Sequence, residues 1–519
     1  MRPRANLSAD LPARVTVLGF ARSGRALAEA LSERGLEVVV VDDKPADEVE
    51  GWRDFEKRGV RFFLGGREGS DPFREGSDPP RGSDPGKALD GSGWLALSPG
   101  VPPSHPLVAA ARRRGLAILS EFEIAWRIAE AETTGENRWV GVTGTNGKST
   151  TTAWIAEILR FGERPVALAG NIGAPLSGFL AERRPRDFVC ELSSFQLETI
   201  ERFRPDVAVL TNVTPDHLDR YPGFEEYAAT KERIFVNQRG DDLAVVNADD
   251  PVASRATTRA RRVPFSRRAP APGGTWCEGG RLYSEVRGAR REVLAADRLS
   301  LPGAHNLENA LAALAAAECL EAPPSAIEKG LTGFRGLPHR TEKVAEASGV
   351  TWVNDSKGTN VDATAKSLEG RARKSVLLIL GGRDKHGDFA KLAGPVTHAA
   401  RIVLTIGEAA PVIEAALAGT VLVESCRTLE EAVARAASLA RRGDTVLLSP
   451  ACASFDQYRD FEERGRHFTE LAQRLTAHGS RLTAAERDQT RFGDQTPDGK
   501  ERDQTPFGDQ TPDRTRNGS

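Results

Sequence analysis

The sequence predicts an α/β fold in three domains. These are a Rossmann-like N-terminal domain, a central P-loop ATPase-type domain with a mainly parallel sheet, and a C-terminal Rossmann-like domain, followed by a disordered repetitive tail. Three observations lead there. Short apolar, β-branched runs alternate with amphipathic helical stretches along most of the chain, the pattern of parallel strands with helices on their faces. The 519 residues are about three times the ~150 of an ordinary domain. Two polar seams without periodicity, at 131–137 and 336–340, divide them.

Taken in order, residues 14–19 (RVTVLG) are a β-branched run of strand length, 23–34 an Ala/Leu-rich helix and 38–41 a second strand. The alternation returns at 139–143 then 149–160, with further apolar strands at 188–190 and 207–210. It returns again at 376–380, at 402–405 then 410–417, and at 421–424 then 429–441. The seams place the domains at 1–136, 137–338 and 339–478. Two segments stand outside this scheme. Residues 66–86 contain Gly-Ser-Asp-Pro three times, and 479–519 repeat the strings ERDQT and GDQTPD. Neither unit has enough apolar side chains to offset its ordering entropy, so both are expected to be disordered and dispensable.

Composition narrows the class. Lys+Arg at 71 against Asp+Glu at 73 gives a net charge of −2, without the basic excess of a nucleic-acid binder. No stretch approaches the ~18 apolar residues of a membrane span, and the first residues lack the apolar run of a signal peptide. Five scattered cysteines with no CxxC pair exclude a disulfide framework and fit a reducing cytoplasm.

The sharpest chemical signal is Gly141-Val-Thr-Gly144-Thr145-Asn146-Gly147-Lys148-Ser149-Thr150, between an apolar strand and a helix. Glycines there let backbone N–H groups turn toward a phosphate at the positive end of the helix. Lys148 would reach the β- and γ-phosphates and Ser149 would hold Mg²⁺. The generic pattern asks for glycine six places before the lysine, where this chain has Val142. A second glycine string, Gly19-Phe-Ala21-Arg-Ser-Gly24, lacks the middle glycine of G-x-G-x-x-G, and Asp42 and Asp43 follow about 20 residues on. Alone it suggests a dinucleotide site.

Further strings extend the phosphate loop. They are Gly170-Asn171-Ile172-Gly173, Glu191-Leu-Ser193-Ser194-Phe-Gln196-Leu, Asn212-Val-Thr-Pro-Asp216-His217-Leu-Asp219-Arg220-Tyr221, Asn354-Asp355-Ser356-Lys357-Gly358-Thr359-Asn360 and Ser449-Pro450-Ala-Cys452-Ala-Ser454-Phe455-Asp456-Gln457. In this order and over roughly residues 12–476, the chain resembles the Mur ligases, ATP-dependent amide-forming enzymes of peptidoglycan precursor synthesis, and among them the branch that adds D-glutamate. The resemblance implies three small-molecule substrates, ATP, UDP-N-acetylmuramoyl-L-alanine and D-glutamate. It further implies two Mg²⁺ ions, no nucleic-acid or membrane partner, and a cytoplasmic monomer.

It also implies roles. Gly144, Thr145, Asn146, Gly147, Lys148, Ser149 and Thr150 would bind ATP phosphates, and Asn306 the adenine, through an amide that both donates and accepts. Arg340, Asp355 and Lys357 would face the phosphates from the domain seam and beyond it. Ser149, Glu191, His217 and Lys231, the last as a carbamate, would hold metal. Lys148, His217, Lys231 and Arg340 form the catalytic set. Gly19, Gly24, Asp42, Asp43, Ser98, Gly100, Asn171, Ser193 and His217 would contact the UDP-substrate, with the N-terminal fold reused for UDP. Thr359, Lys385, Ser454 and Phe461 would hold D-glutamate. Two other readings stay open: a sister amide ligase, including a folylpolyglutamate synthetase, and an NAD(P)-binding oxidoreductase built on residues 12–43.

Overall fold

A computed structural model describes residues 11–65, 74–75, 85–102, 104–217, 220–385 and 387–475. The tail 479–519 and most of the 66–86 insertion, both expected to be disordered, lie outside the described residues, as does Asp219. Among those described, no helix is long and apolar enough to cross a membrane.

The alternating pattern resolves into three parallel-dominated sheets of six, nine and six strands. In the first, the strand Arg14–Leu18 lies between Glu37–Pro45 and Trp94–Leu97, parallel to both. The buried face of each strand is Val- and Leu-rich because helices cover both sides of the sheet. In the second, Arg138–Thr143 is flanked by Val207–Leu210 and Asp187–Glu191, again parallel. In the third, Thr445–Leu448 lies between Val350–Asn354 and Val376–Gly381. Each sheet thus has three neighbouring strands ending on the same edge, and loops at such an edge are where open α/β sheets bind ligands.

Three antiparallel additions went unread in the sequence. The smallest, Arg74–Glu75, lies within the 66–86 segment expected to be disordered and pairs with the strand Arg61–Gly65. The strands Thr275–Glu278, Arg281–Ser284 and Arg291–Ala295 extend the central sheet, and Glu342–Ala347 borders the third. The first of these had a signal: Gly279-Gly280 between two four-residue runs is a two-residue hairpin turn, with positive φ at both glycines.

The first two sheets share a continuous apolar core in which Phe122 and Trp126 from the helix Glu121–Glu132 pack edge-on against Phe203, which also meets Trp139, itself stacked on Phe188. Polar groups on the same helix are buried with their partners. Glu121 accepts from the Ser177 backbone N–H at 2.7 Å and hydroxyl at 2.6 Å. Glu123 accepts from the backbone N–H groups of Arg202 and Phe203 and pairs with Arg127. The third sheet has its own two cores, drawn only from residues 350–472.

Candidate active site

The phosphate loop begins where the strand Arg138–Thr143 ends and leads into the helix Lys148–Arg160, whose Trp154 and Ile155 anchor it in the central core. Its glycines are set by neighbours: a Cβ on Gly144 would lie 2.0 Å from Thr211 Oγ1, and one on Gly147 2.3 Å from Asn309 Oδ1. The loop is held from the adjacent strand end. Asn212 Oδ1 accepts from the Asn146 N–H, and Thr211 and Asn212 donate to the Asn146 carbonyl. Val142, where the generic pattern wants glycine, is a fully buried strand residue, so the departure falls before the loop and leaves it intact.

Glu191 closes the other adjacent strand. Its buried carboxylate accepts from Ser149 Oγ and, at 2.7 Å, from Asn171 Nδ2. Burial works against its charge, but Lys148, Arg340 and these hydrogen bonds outweigh it and hold the carboxyl below its usual range. Arg340 crosses from the seam to Ser149 Oγ. The facing oxygens of Ser149 and an ionised Glu191 suit a hard cation such as Mg²⁺, which takes its remaining ligands from phosphate and water. No cluster of three His, Cys, Asp or Glu among the described residues forms a metal cage by itself.

Lys231 sits at the end of the helix Phe224–Glu232, 2% exposed. Its Nζ donates to the Gly144 carbonyl at 2.7 Å and lies 4.5 Å from the centre of the Tyr227 ring. Burial first, then the Lys148 ammonium, push its pKa well below that of an ordinary lysine. His217 takes a left-handed backbone, φ +54°, and packs its ring on Phe195 at 5.0 Å. Burial lowers its pKa against the pull of Asp216.

One cavity of about 260 Å³ gathers these groups. Pro99 comes from the first sheet; Thr145 to Lys148, Asn171, Glu191, Ser193, His217 and Lys231 from the second; Lys357, Thr359, Asn360 and Lys385 from the third, with Arg340 between. Asp216 ties the second and third together, accepting from Asn360 Nδ2 at 3.0 Å with Lys385 Nζ at 3.6 Å. Asp362, which the sequence reading missed, accepts from Asn146 Nδ2 and from Thr214 Oγ1 at 3.2 Å. Ser193 caps the short helix Ser194–Leu197 in a reciprocal capping box with Gln196.

A second cavity adjoins the phosphate loop at Asn146, Gly147 and Thr150 and is lined by Leu301, His305, Asn306, Leu337, Arg340 and Asp355. Asn306 Nδ2 donates to the Pro302 carbonyl at 2.8 Å and its Oδ1 accepts from Asn309. Asp355 is gripped by Ser367, Ser449 and the Thr341 N–H. A third cavity, about 910 Å³, opens at the edge of the first sheet over Gly19, Asp42, Lys44, Ser98 and Gly100. Gly24 packs under it: a Cβ there would lie 1.9 Å from the Gly19 carbonyl oxygen.

Three of the expected contact residues stand outside the linings of these cavities. Asp43 does not line the third cavity; its carboxylate faces His105 Nε2 at 3.1 Å. Ser454 and Phe461 do not line the cavity that holds Thr359 and Lys385. Ser454 is buried in a turn, its carbonyl accepting from Gln457 and Tyr458. The Phe461 ring lies under Lys357, Nζ 3.7 Å from the ring centre, and burial lowers this lysine's pKa to about 8.

Residues 142–317 match the Mur ligase middle domain and 339–452 the Mur ligase glutamate ligase domain. The chain is 42% identical over 467 residues to the UDP-N-acetylmuramoylalanine–D-glutamate ligase of Pelotomaculum thermopropionicum, covering 88% of this chain and 97% of that one. It is 42% identical over 471 residues to the protein of the same name from Anaeromyxobacter dehalogenans, covering 88% and 97%. Among solved structures it resembles UDP-N-acetylmuramate–alanine ligase from Thermotoga maritima, with a TM-score of 0.56 and 18% identity over 89% of this chain and 99% of that one. A pseudomurein peptide ligase type C from Methanothermus fervidus gives 0.54 and 19% over 89% and 99%. At such identities these two likenesses concern the fold alone.

Proposed function

The chain belongs to the Mur ligase family, and from that premise we propose that it joins D-glutamate to UDP-N-acetylmuramoyl-L-alanine with cleavage of ATP. The observation that carries the reading is the single cavity lined from all three sheets, with the phosphate loop on one wall and Thr359, Asn360 and Lys385 on the other. Amide formation from a free carboxylate is uphill in water, so the acid must first acquire a leaving group. The L-alanyl carboxylate attacks the γ-phosphorus of ATP and ADP leaves. The amine of D-glutamate then adds to the acyl phosphate, loses a proton, and the tetrahedral adduct expels phosphate.

The residues supply positions and charge for these steps. Lys148 and Arg340, both beside Glu191, neutralise the transferring phosphoryl group, the arginine through its planar fork. Asn306 and the second cavity take the base. The third cavity, with Asp42 and Ser98 at its rim, takes the uridine diphosphate, and Asn171 and Ser193 lie along the route toward the phosphate loop. Asp42 uses its carboxylate to fix the loop, accepting from the N–H groups of Phe20 and Lys44. Thr359 and Lys385 receive the amino acid's carboxylates.

Mg²⁺, held by Ser149 and Glu191, supplies countercharge to the phosphates when bound. A second ion would lie toward His217 and Lys231. Nitrogen donors suit Mg²⁺ poorly; the Lys231 amine, kept neutral by burial, would add to CO₂ and release a proton, and the carbamate so formed would offer an oxygen ligand. The enzyme works in the cytoplasm as a monomer. The purified protein with ATP and Mg²⁺ is expected to release phosphate only when both UDP-N-acetylmuramoyl-L-alanine and D-glutamate are present. Equal turnover with L-glutamate, or with meso-diaminopimelate and a dipeptidyl substrate, would overturn the assignment.

A further inference from the structure

Arg464 is one of the largest fully buried side chains, 1% exposed, and no carboxylate among the described residues pairs with it at ion-pair distance. A buried cation without a counter-charge is disfavoured unless each donor is satisfied. Here each is. Nε donates to Ser356 Oγ at 3.0 Å; Nη1 to the carbonyls of Ala453 at 3.2 Å and Gly381 at 3.5 Å; Nη2 to the carbonyls of Ser356 at 2.9 Å and Cys452 at 3.1 Å. Ser356 Oγ in turn donates to the Phe461 carbonyl at 2.9 Å, closing the network on the helix that carries Arg464.

These acceptors lie at the C-terminal ends of the three neighbouring strands of the third sheet or in the loops that follow them. Lys357 and Thr359 follow Ser356, Lys385 follows Gly381, and Ser454 follows Ala453. One of these loops carries a strained residue: Ala451 has φ +59°, a left-handed backbone that a non-glycine residue keeps only where its surroundings fix it. We propose that Arg464 is the positioning residue of the amino-acid subsite, setting the spacing between the loop that carries Thr359 and the loop that carries Lys385, with the Ala453 turn as its third anchor. The inference rests on the functional reading above. Arg464 touches no substrate, and on the ATP side Asp355 has separate supports while the Lys357 N–H is held by the His339 carbonyl, so the effect should fall mainly on one substrate.

The test compares Arg464→Lys, which keeps the charge but not the five-donor fork, with Ser356→Ala, which removes one acceptor. Phosphate release is followed against each of the three substrates, with a thermal melt on every variant. Arg464→Lys is expected to raise KM for D-glutamate by more than about tenfold with KM for ATP and UDP-N-acetylmuramoyl-L-alanine nearly unchanged, and Ser356→Ala by about threefold. The double variant should rise no further than Arg464→Lys. A folded Arg464→Lys enzyme with KM for D-glutamate within about twofold of wild type, or an equal rise for all three substrates, would overturn the proposal. Should Arg464→Lys fail to fold, Ser356→Ala decides alone, and an unchanged KM for D-glutamate overturns it. Failure of the functional reading would appear separately, as wild-type enzyme whose phosphate release ignores D-glutamate.

Discussion

Replacing Asp362 with alanine would cut a contact between the phosphate loop and the C-terminal domain. The wild-type carboxylate receives hydrogen bonds from Asn146 Nδ2 and Thr214 Oγ1, while Lys366, one turn along its own helix, lies 3.4 Å away. Hydrogen bonds to a charged group contribute about 1.5–3 kcal/mol each when buried. Asp362 is 34% exposed, so both donors regain water after the substitution and roughly 1 kcal/mol each is the appropriate figure. The sum of about 2 kcal/mol corresponds to about a thirtyfold shift away from the docked arrangement that brings Thr359 and Lys385 to the phosphate loop. With ATP and UDP-N-acetylmuramoyl-L-alanine saturating, kcat/KM for D-glutamate should fall about tenfold to thirtyfold. Lys366→Ala, which spares both interdomain donors, should change it less than about twofold. A double-mutant cycle of Asp362→Ala with Thr214→Val isolates the contact. Strict additivity in that cycle, or an Asp362→Ala enzyme within twofold of wild type, would refute the argument.

Two further outcomes follow from the site. Lys231→Ala should fold and bind ATP but lose phosphoryl transfer, with a small soluble carboxylate restoring part of the rate; Lys231→Arg should stay inactive, and an active Arg variant would remove the carbamate from the scheme. Gly24→Ala forces a Cβ to 1.9 Å from the Gly19 carbonyl oxygen; overpacking of that kind costs about 1–3 kcal/mol. A lower melting temperature and a raised KM for the UDP-substrate, with KM for ATP unchanged, would be the readout, and a variant with wild-type values would show that the loop relaxes freely.

The phosphate loop and Glu191 were legible because their chemistry is local: a glycine-rich turn between strand and helix, and a carboxylate ending an apolar strand. Strand ends converge on one edge by topology, so locating the strands placed the ligand-binding loops. Asp362 was not legible, since its partner Asn146 lies 216 residues away and one acid in a helical first turn reads as helix-dipole stabilisation. Arg464 stands in Phe461-Glu-Glu-Arg464-Gly-Arg-His-Phe, a string whose charges suggest a solvated face; only the packed helix reveals which of its arginines turns inward. Asp42 and Asp43 were equivalent on paper and part company in the fold, because successive strand residues point to opposite sides of a sheet.

Glu121 and Glu123 are hydrogen-bonded across the junction between the first two sheets, and those sheets share one apolar core. Cutting the chain near residue 136 would therefore strand two interior carboxylates and open Phe122, Trp126 and Phe203 to water. The boundary that separates two sheet topologies is not expected to separate two cooperative units of unfolding. Calorimetry is expected to show two transitions, one for the two sheets that share a core and one for the third sheet, whose buried clusters are its own; a single transition would refute the division.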